Sequence, residues 1–199
     1  MAGPGLAARQ KNARAVGATL IFTDEAGLLM APTRRASLAV AGHTPVLEQR
    51  GRHRDKVSAA GALCVSPLAR GWGRDRLYYD LYPDLYMDGY LYAEFVRGLI
   101  HRVRGPIVLV HDRLKAHGGE WFDELRDDFP WLRVEPLPPY APDLNPVDAM
   151  WAWVKGHELA NFAPDDVPHL ARVLNDTLRG LARRPSLLRS FREAAELPW

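Results

Sequence analysis

Between Gly105 and Asp112 the chain reads GPIVLVHD, and this short run constrains the fold more than any other segment. Ile107 to Val110 are consecutive aliphatic residues with no polar alternation. Successive side chains of a strand point to opposite faces, so a strand apolar on both sides must be covered on both sides. Such a strand belongs inside a sheet that has helices on its faces. The run ends abruptly in Asp112, and a buried strand that delivers a carboxylate to its end needs a partner for that charge.

The remaining segments supply the other layers. TLIF followed by TDEAGLLMA alternates about Gly27 and is expected to form the two strands of a hairpin. A long basic loop with Gly42, Pro45 and Gly51 follows. KVSAAGALCVS (Lys56–Ser66) then reads as a strand, its small residues marking where something packs closely. RLYYDLYPDLYM carries aromatics at strand-like spacing until Pro83 interrupts it. Asp88 is the expected N-cap of a helix that buries Tyr92, Val96, Leu99, Ile100 and Val103 and stops at Gly105. A helix over Gly119–Asp128 and a short strand in LRVEPL come after Asp112. LPPYAPDLNP (Leu137–Pro146) holds too many prolines for regular structure. Asn145 then caps a helix with Pro146 at its first position, Asp148 in its first turn, and Val147, Met150, Trp151 and Val154 as its apolar stripe.

Two more helices close the chain. One buries Val167, Leu170, Ala171, Leu174, Leu178 and Leu181, and the other starts at Ser186 and ends before Pro198. The order is three early strands, helix, strand, helix, strand, helix and further helix. It predicts an α/β domain with a mixed β-sheet flanked by helices. Residues 1–16 read as a flexible basic N-terminal arm or the end of an upstream region, 17–160 as the α/β domain, and 161–199 as a C-terminal helical extension packed on it.

Composition bounds the function classes. With 47% hydrophobic and 25% charged residues in 199, the chain can bury a real core. No apolar run approaches the roughly 18 residues that span a bilayer, and the polar, Gly-rich start is no signal peptide. Cys64 is the single cysteine, which excludes an internal disulfide and a cysteine zinc site and makes a reducing cytoplasm the expected compartment. A net charge of +2 neither requires nor excludes a nucleic-acid partner. Its distribution is more telling. Arg34, Arg35, Arg50, Arg52, Arg54 and Lys56 stand against only Glu48 and Asp55, with His43 and His53 among them. That stretch is either a DNA-contacting loop or simply a solvated one. The excess of Arg over Lys, with abundant Ala, Leu and Pro, suggests a GC-rich bacterial genome.

Three carboxylates are placed to converge. Asp24 is expected to end the first apolar strand, Asp112 ends the central one, and Asp148 opens the helix after the Pro-rich loop. Strand ends and adjacent helix termini of an open α/β sheet meet in one crevice. Carboxylates gathered there repel unless cations neutralise them. Mg²⁺ or Mn²⁺ fits, and two ions about 3.5–4 Å apart would activate an attacking oxygen and stabilise the leaving one. Each acid also has an ordinary explanation: an Asp at a strand end is usually a turn residue, and Asp148 is favourable against the helix macrodipole with no function at all.

The combination is more specific than its parts. FTDEAG around Asp24, GHTP at Gly42–Pro45, KVSAAGAL at Lys56–Leu63, VLVHD followed by His117, and LPPYAPDLNPVDAMWAWVK at Leu137–Lys155 occur in one order, with 35 residues between Asp112 and Asp148. From about Leu20 to about Lys155 the chain resembles the DDE superfamily endonucleases, the catalytic domains of bacterial insertion-sequence transposases related to the mariner superfamily. The resemblance implies an RNase H-like fold and Asp24, Asp112 and Asp148 as catalytic metal ligands, an all-aspartate version of the triad. It implies Mg²⁺ or Mn²⁺, two ions, as cofactor, and nicking of transposon ends followed by attack of the freed 3′-hydroxyl on target DNA. Double-stranded DNA is the implied partner, with a homodimer on paired ends, no membrane, and a cytoplasmic, nucleoid-associated location. Relatives carry N-terminal helix-turn-helix modules that 16 leading residues cannot hold, so the chain reads as a fragment, a decayed copy or the downstream frame of a two-frame element, with a separately encoded helix-turn-helix region as a candidate partner.

Supporting residues have two readings each. Glu25 should face away from Asp24 and act structurally or behind the ligands. Arg113 stands where the family has Asn and would either bind phosphate or repel metal; SLAVAG replaces a stretch that usually holds a tryptophan before GHTP. His117 would touch DNA, orient a ligand or cap the next helix. Asn145 is a cap that also positions Asp148, and Lys155 either reaches a phosphate or is solvated. Arg50, Arg52, Arg54 and Lys56 are the DNA-contact candidates of the basic loop. Trp151 belongs to the core, whereas Trp153 is either covered by the C-terminal helices or offered to a partner. Three rival readings stay open: a catalytically inactive or truncated remnant that only binds DNA or a partner, a cellular RNase H-like nuclease, and an unrelated metal-dependent phosphohydrolase, for which only His111 and His117 lie near the acids.

Overall fold

A computed structural model describes residues 17–31, 33–48, 55–68, 71–113, 119–139 and 141–195. The apolar run does form the expected interior strand, β4 (Ile107–His111), buried along its whole length. On one side it pairs in parallel with β1 (Thr19–Leu29), and on the other with β5 (Arg133–Pro136). β1 continues the sheet antiparallel to β2 (Lys56–Leu68), and β2 to β3 (Gly71–Pro83). The sheet therefore has five strands in the order β3-β2-β1-β4-β5.

One sequence expectation is corrected. TLIF and TDEAGLLMA are not a hairpin but one strand of 11 residues that runs straight through Gly27. The period of two is unbroken: Ala26, Leu28 and Met30 are buried while Gly27 and Leu29 are exposed. Gly27 sits in the ladder opposite Ser58, so the antiparallel partner of β1 is β2, not the next few residues.

Helices cover both faces. α1 (Gly89–Arg102) is capped by the Asp88 side chain, which accepts from the Leu91 amide, and α2 (Glu120–Asp128) follows β4. Together they bury Tyr92, Phe95, Leu99, Phe122 and Leu125 against Ile21, Ala60, Ala62 and Leu109. The opposite face carries α3 (Pro146–Trp153), which runs on as a π-helical turn over Val154–Glu158, then α4 (Val167–Ala182) and α5 (Pro185–Ala194). These share a single core with Leu20, Phe22, Leu63 and Val110. The two last helices are also tied to β3. The Tyr79 hydroxyl donates to Asn175 Oδ1 at 3.0 Å, and a buried ion pair joins Arg192 Nε to Asp75 Oδ1 at 3.1 Å. Trp153 is covered by α5, with Phe191 packed edge-on to its ring at 6.1 Å.

Small residues in β2 let α3 lie directly on the sheet. Gly61 pairs with Asp24 across the β1–β2 ladder, and a Cβ added there would stand 2.8 Å from the Trp151 ring. Gly61→Val should therefore destabilise the fold by about 1–3 kcal/mol through overpacking. Gly98, in α1, has nothing within 4 Å of an added Cβ, so Gly98→Ala should stabilise by about 0.5–1 kcal/mol. Chemical denaturation of both variants checks the pair; a neutral Gly61→Val would show that α3 does not sit where described.

Candidate active site

The meeting of the first two acids follows from strand register. β1 and β4 pair from Thr19↔Ile107 to Phe22↔Val110, and β4 then ends at His111. Carrying that register two places further sets Asp24 beside Asp112. Both continue the face that carries Leu20, Phe22, Val108 and Val110, the face on which α3 lies. Asp24 is thus not at a strand end, as the sequence suggested. It lies mid-strand, because β2 continues to pair with β1 as far as Leu29↔Lys56 after β4 has stopped.

The third acid arrives on α3, and its position depends on how that helix begins. Pro146 takes the first turn, where no backbone N–H is required. Asn145 is buried, and its Oδ1 accepts from the Val147 amide at 3.1 Å. Its Nδ2 donates to the Thr23 carbonyl oxygen, also at 3.1 Å. Nearly two turns further on, the Trp151 indole N–H reaches the Asp24 carbonyl oxygen at 3.5 Å. The cap residue Asn145 and Trp151 therefore hold the two β1 carbonyl groups that flank the Asp24 Cα.

The result is a contact between carboxyl groups. Asp24 and Asp148 share a hydrogen bond. Burial, then the negative charges of Asp148, Glu25 and Asp112, push the Asp24 carboxyl up to about 9, so at neutral pH it keeps its proton and donates. Asp148 is raised as well, chiefly by burial, while the Asp24 hydrogen bond and the Lys155 ammonium pull it down. Among the described residues no group of three or more His, Cys, Asp or Glu side chains is arranged as a ready metal cage. The donor chemistry still fits a hard divalent cation: the acids supply only oxygens, and a proton is held where their mutual repulsion leaves positive charge wanting.

The other face of the sheet holds a feature that the sequence reading missed. Thr23 Oγ1 lies 2.9 Å from the Tyr92 hydroxyl, which lies 3.0 Å from His111 Nδ1. All three residues are buried. The chain of hydrogen bonds joins the residue before Asp24 to the residue before Asp112. Tyr92 reads in sequence as one more apolar position of α1. The available signals were its hydroxyl, which needs a partner when buried, and His111, a polar residue closing an apolar run.

The remaining candidates scatter. Glu25 faces away from α3, yet its charge acts on Asp24 and on Tyr92. Arg113 Nε donates to the Leu137 carbonyl oxygen at 3.1 Å, tying the residue after Asp112 to the start of the Pro-rich segment. Lys155 lies on the π-helical turn, close enough to lower Asp148. Lys56 stands opposite Leu29, five residues along β1 from Asp24 and so roughly 16 Å away at about 3.3 Å per residue. Its ammonium is 3.7 Å from the centre of the Tyr86 ring. The root of the basic stretch is stitched down near the same helix: the Asn161 side chain accepts from the Arg35 amide and donates to the Arg35 carbonyl oxygen. His117, Arg50, Arg52, Arg54 and the N-terminal arm lie outside the described residues.

A mixed sheet in this order, with acids on the central strand, just past its parallel neighbour and in the first turn of a helix laid across them, is an RNase H-like fold. The chain belongs to the DDE superfamily endonucleases, whose family model matches residues 19–170. No curated protein sequence matches the chain. Among solved structures, a Mos1 mariner paired end complex with Mn is similar at a TM-score of 0.64 and 18% identity, covering 96% of this chain and 57% of that one. A Mos1 transposase paired-end complex with the left transposon end gives 0.59 and 19%, covering 96% and 59%. The catalytic domain of Mos1 mariner transposase alone gives 0.52 and 17%, covering 98% and 90%. The chain thus spans well under two-thirds of the proteins in the two complexes, and the likeness is one of fold.

The Asp24 geometry predicts a pH-dependent stability. The carboxyl is neutral in both folded and unfolded states below its ordinary value of 3.8. Between there and about 9 the folded chain keeps a proton that the unfolded chain releases, so this group's contribution is lost as pH rises through that window. Metal-free Asp24→Asn should therefore be more stable than wild type at pH 7, on the order of 1–3 kcal/mol, with the margin closing near pH 4. Thermal melts across pH measure this, and a variant no more stable than wild type at pH 7 would rule it out.

Proposed function

We propose that the chain is the catalytic domain of a transposase, which cuts DNA at transposon ends and joins the freed ends to target DNA. The observation that carries this reading is the Asp24–Asp148 carboxyl contact, with Asp112 in electrostatic reach of both, in a member of an endonuclease family. Asp24, Asp112 and Asp148 would hold Mg²⁺ or Mn²⁺, two ions in the full complement. Bound there, such ions activate the attacking water or 3′-hydroxyl and stabilise the leaving oxygen.

The chain's own residues supply position and charge. Asn145 and Trp151 hold the first turns of α3 on β1, which sets Asp148 against Asp24. The Thr23–Tyr92–His111 chain keeps the middle of β1 level with the end of β4 beneath the acids. Lys155 and Arg113 bring cationic groups to the rim, where a DNA phosphate would approach. No covalent enzyme intermediate enters this reading. Burial pushes up both the Cys64 thiol and the Tyr92 hydroxyl, which makes each a poor nucleophile.

Partners follow from the same reading. One Mos1 structure is a paired-end complex with the left transposon end, and double-stranded DNA is carried over as the partner here, with two copies pairing two ends. A helix-turn-helix region working with this chain would find the ends. No helix among the described residues is long and apolar enough to cross a membrane. A DNA-binding remnant that no longer cuts is the second reading, motivated by Arg113, a cation directly after Asp112.

Plasmid nicking separates the two. With Mn²⁺ and supercoiled DNA the wild-type chain should nick, and Asp112→Asn should slow it by at least the roughly 10–100-fold that loss of even an outer partner costs a metal site. Equal nicking by both proteins, or none by either, would remove the catalytic claim.

A further inference from the structure

The acids occupy the α3 face of the sheet. The opposite face carries a second polar feature, at the other end of β1. Arg76 stands opposite Cys64 and Tyr78 opposite Ala62, both directed to the side covered by α1. α1 ends at Arg102, and Arg104 follows on the exposed connection to β4. Thr19, Ser66, Arg76, Tyr78, Arg102 and Arg104 line one cleft of about 340 Å³, with buried Cys64 at its floor.

The charges in this cleft are unbalanced. Three arginines elsewhere are paired: Arg97 with Asp128, Arg133 with Glu135, Arg192 with Asp75. Among the described residues Arg76, Arg102 and Arg104 form no ion pair within 4.0 Å. Asp80, two residues beyond Tyr78 on β3, feels the charge of Arg102 but does not line the cleft. Arg76 is near enough to the Cys64 thiol to oppose the effect of burial on it. Three guanidinium groups and three hydroxyls around one concavity, without a carboxylate among its described lining residues, make the chemistry of a phosphate site. Guanidinium forks match phosphate oxygens, and hydroxyls supply further donors.

We propose that this cleft grips the backbone of DNA by its phosphates, away from the strand being cut. Thr19 lies five residues from Asp24 on β1 and on the other face, so a contact here is roughly 16 Å along the sheet from the acids. A phosphate held in the cleft therefore belongs to a flanking or second stretch of the duplex, which suits an enzyme that must hold one DNA while acting on another. The inference rests on the transposase reading and adds a specific grip to it.

The test is the salt dependence of binding to a fluorescent duplex, since each neutralised phosphate contributes about 0.9 to the slope of log K against log salt. Arg76→Gln/Arg102→Gln/Arg104→Gln should lower the slope by about 1–2. A charge-matched control, Arg172→Gln/Arg179→Gln/Arg183→Gln on exposed positions of α4 and its end, should leave the slope nearly unchanged. The single reversal Arg104→Glu should act in the same direction as the cleft triple, and melting curves should match wild type. Equal slope changes in the two triples, or none in the cleft triple, overturn the cleft. If plasmid nicking still depends on Asp112 in that case, only the cleft has failed. A wild-type chain that does not bind duplex at all overturns the DNA reading along with it.

Discussion

The amide of Asn145 is buried between the helix that carries Asp148 and the strand that carries Asp24, and it bonds to both. A buried amide left half satisfied costs about 1–3 kcal/mol, so the two bonds stand or fall together. Its oxygen starts α3 by accepting an amide that no helical carbonyl can reach. Its nitrogen fastens that start to the Thr23 carbonyl. The direction of α3, the seat of Trp151 on Gly61 and the approach of Asp148 to Asp24 all follow from this one attachment. A different cap, such as Ser, could start the helix equally well but could not span to β1.

What the attachment achieves is electrostatically unfavourable in isolation. It holds two carboxyl groups in contact, with a third near, in a place where burial already favours the neutral form. A site built only for stability would not do this, and perturbed groups of this kind gather where function needs them. The cost is offset by large apolar layers on both faces and by rigid fastening. The Thr23–Tyr92–His111 chain prevents β1 and β4 from sliding past one another, and Arg113 ties the exit of β4 to the far end of β5.

Much of this was legible in the sequence where a local rule forces the outcome. An unbroken aliphatic run could only be an interior strand, and Asn145–Pro146 after a proline-rich stretch could only begin a helix. Gly27 misled because a glycine within an alternating run fits a turn as well as a strand interior. The choice was made by β2, 29 positions further on at Lys56. Asp24 and Asp112 become neighbours through a parallel register that no local pattern encodes. The hydroxyl–imidazole chain joins residues 69 and 19 positions apart, and Tyr92 obeys the helical periodicity so well that its hydroxyl was easy to overlook. Arg113 looked like a rim cation from its place after Asp112. Its hydrogen bond to Leu137 reveals a second task that depends on where β5 lies.

In the proposed reading Asp24, Asp112 and Asp148 would together hold one divalent-cation site. Calorimetric titration of Mn²⁺ into the folded chain tests it most directly, with Asp24→Asn, Asp112→Asn and Asp148→Asn beside wild type. Wild type should bind saturably and each of the three substitutions should weaken that binding, while melting shows every variant folded. Binding that ignores the loss of Asp24 or Asp148, or a wild-type chain that binds no Mn²⁺, would contradict it.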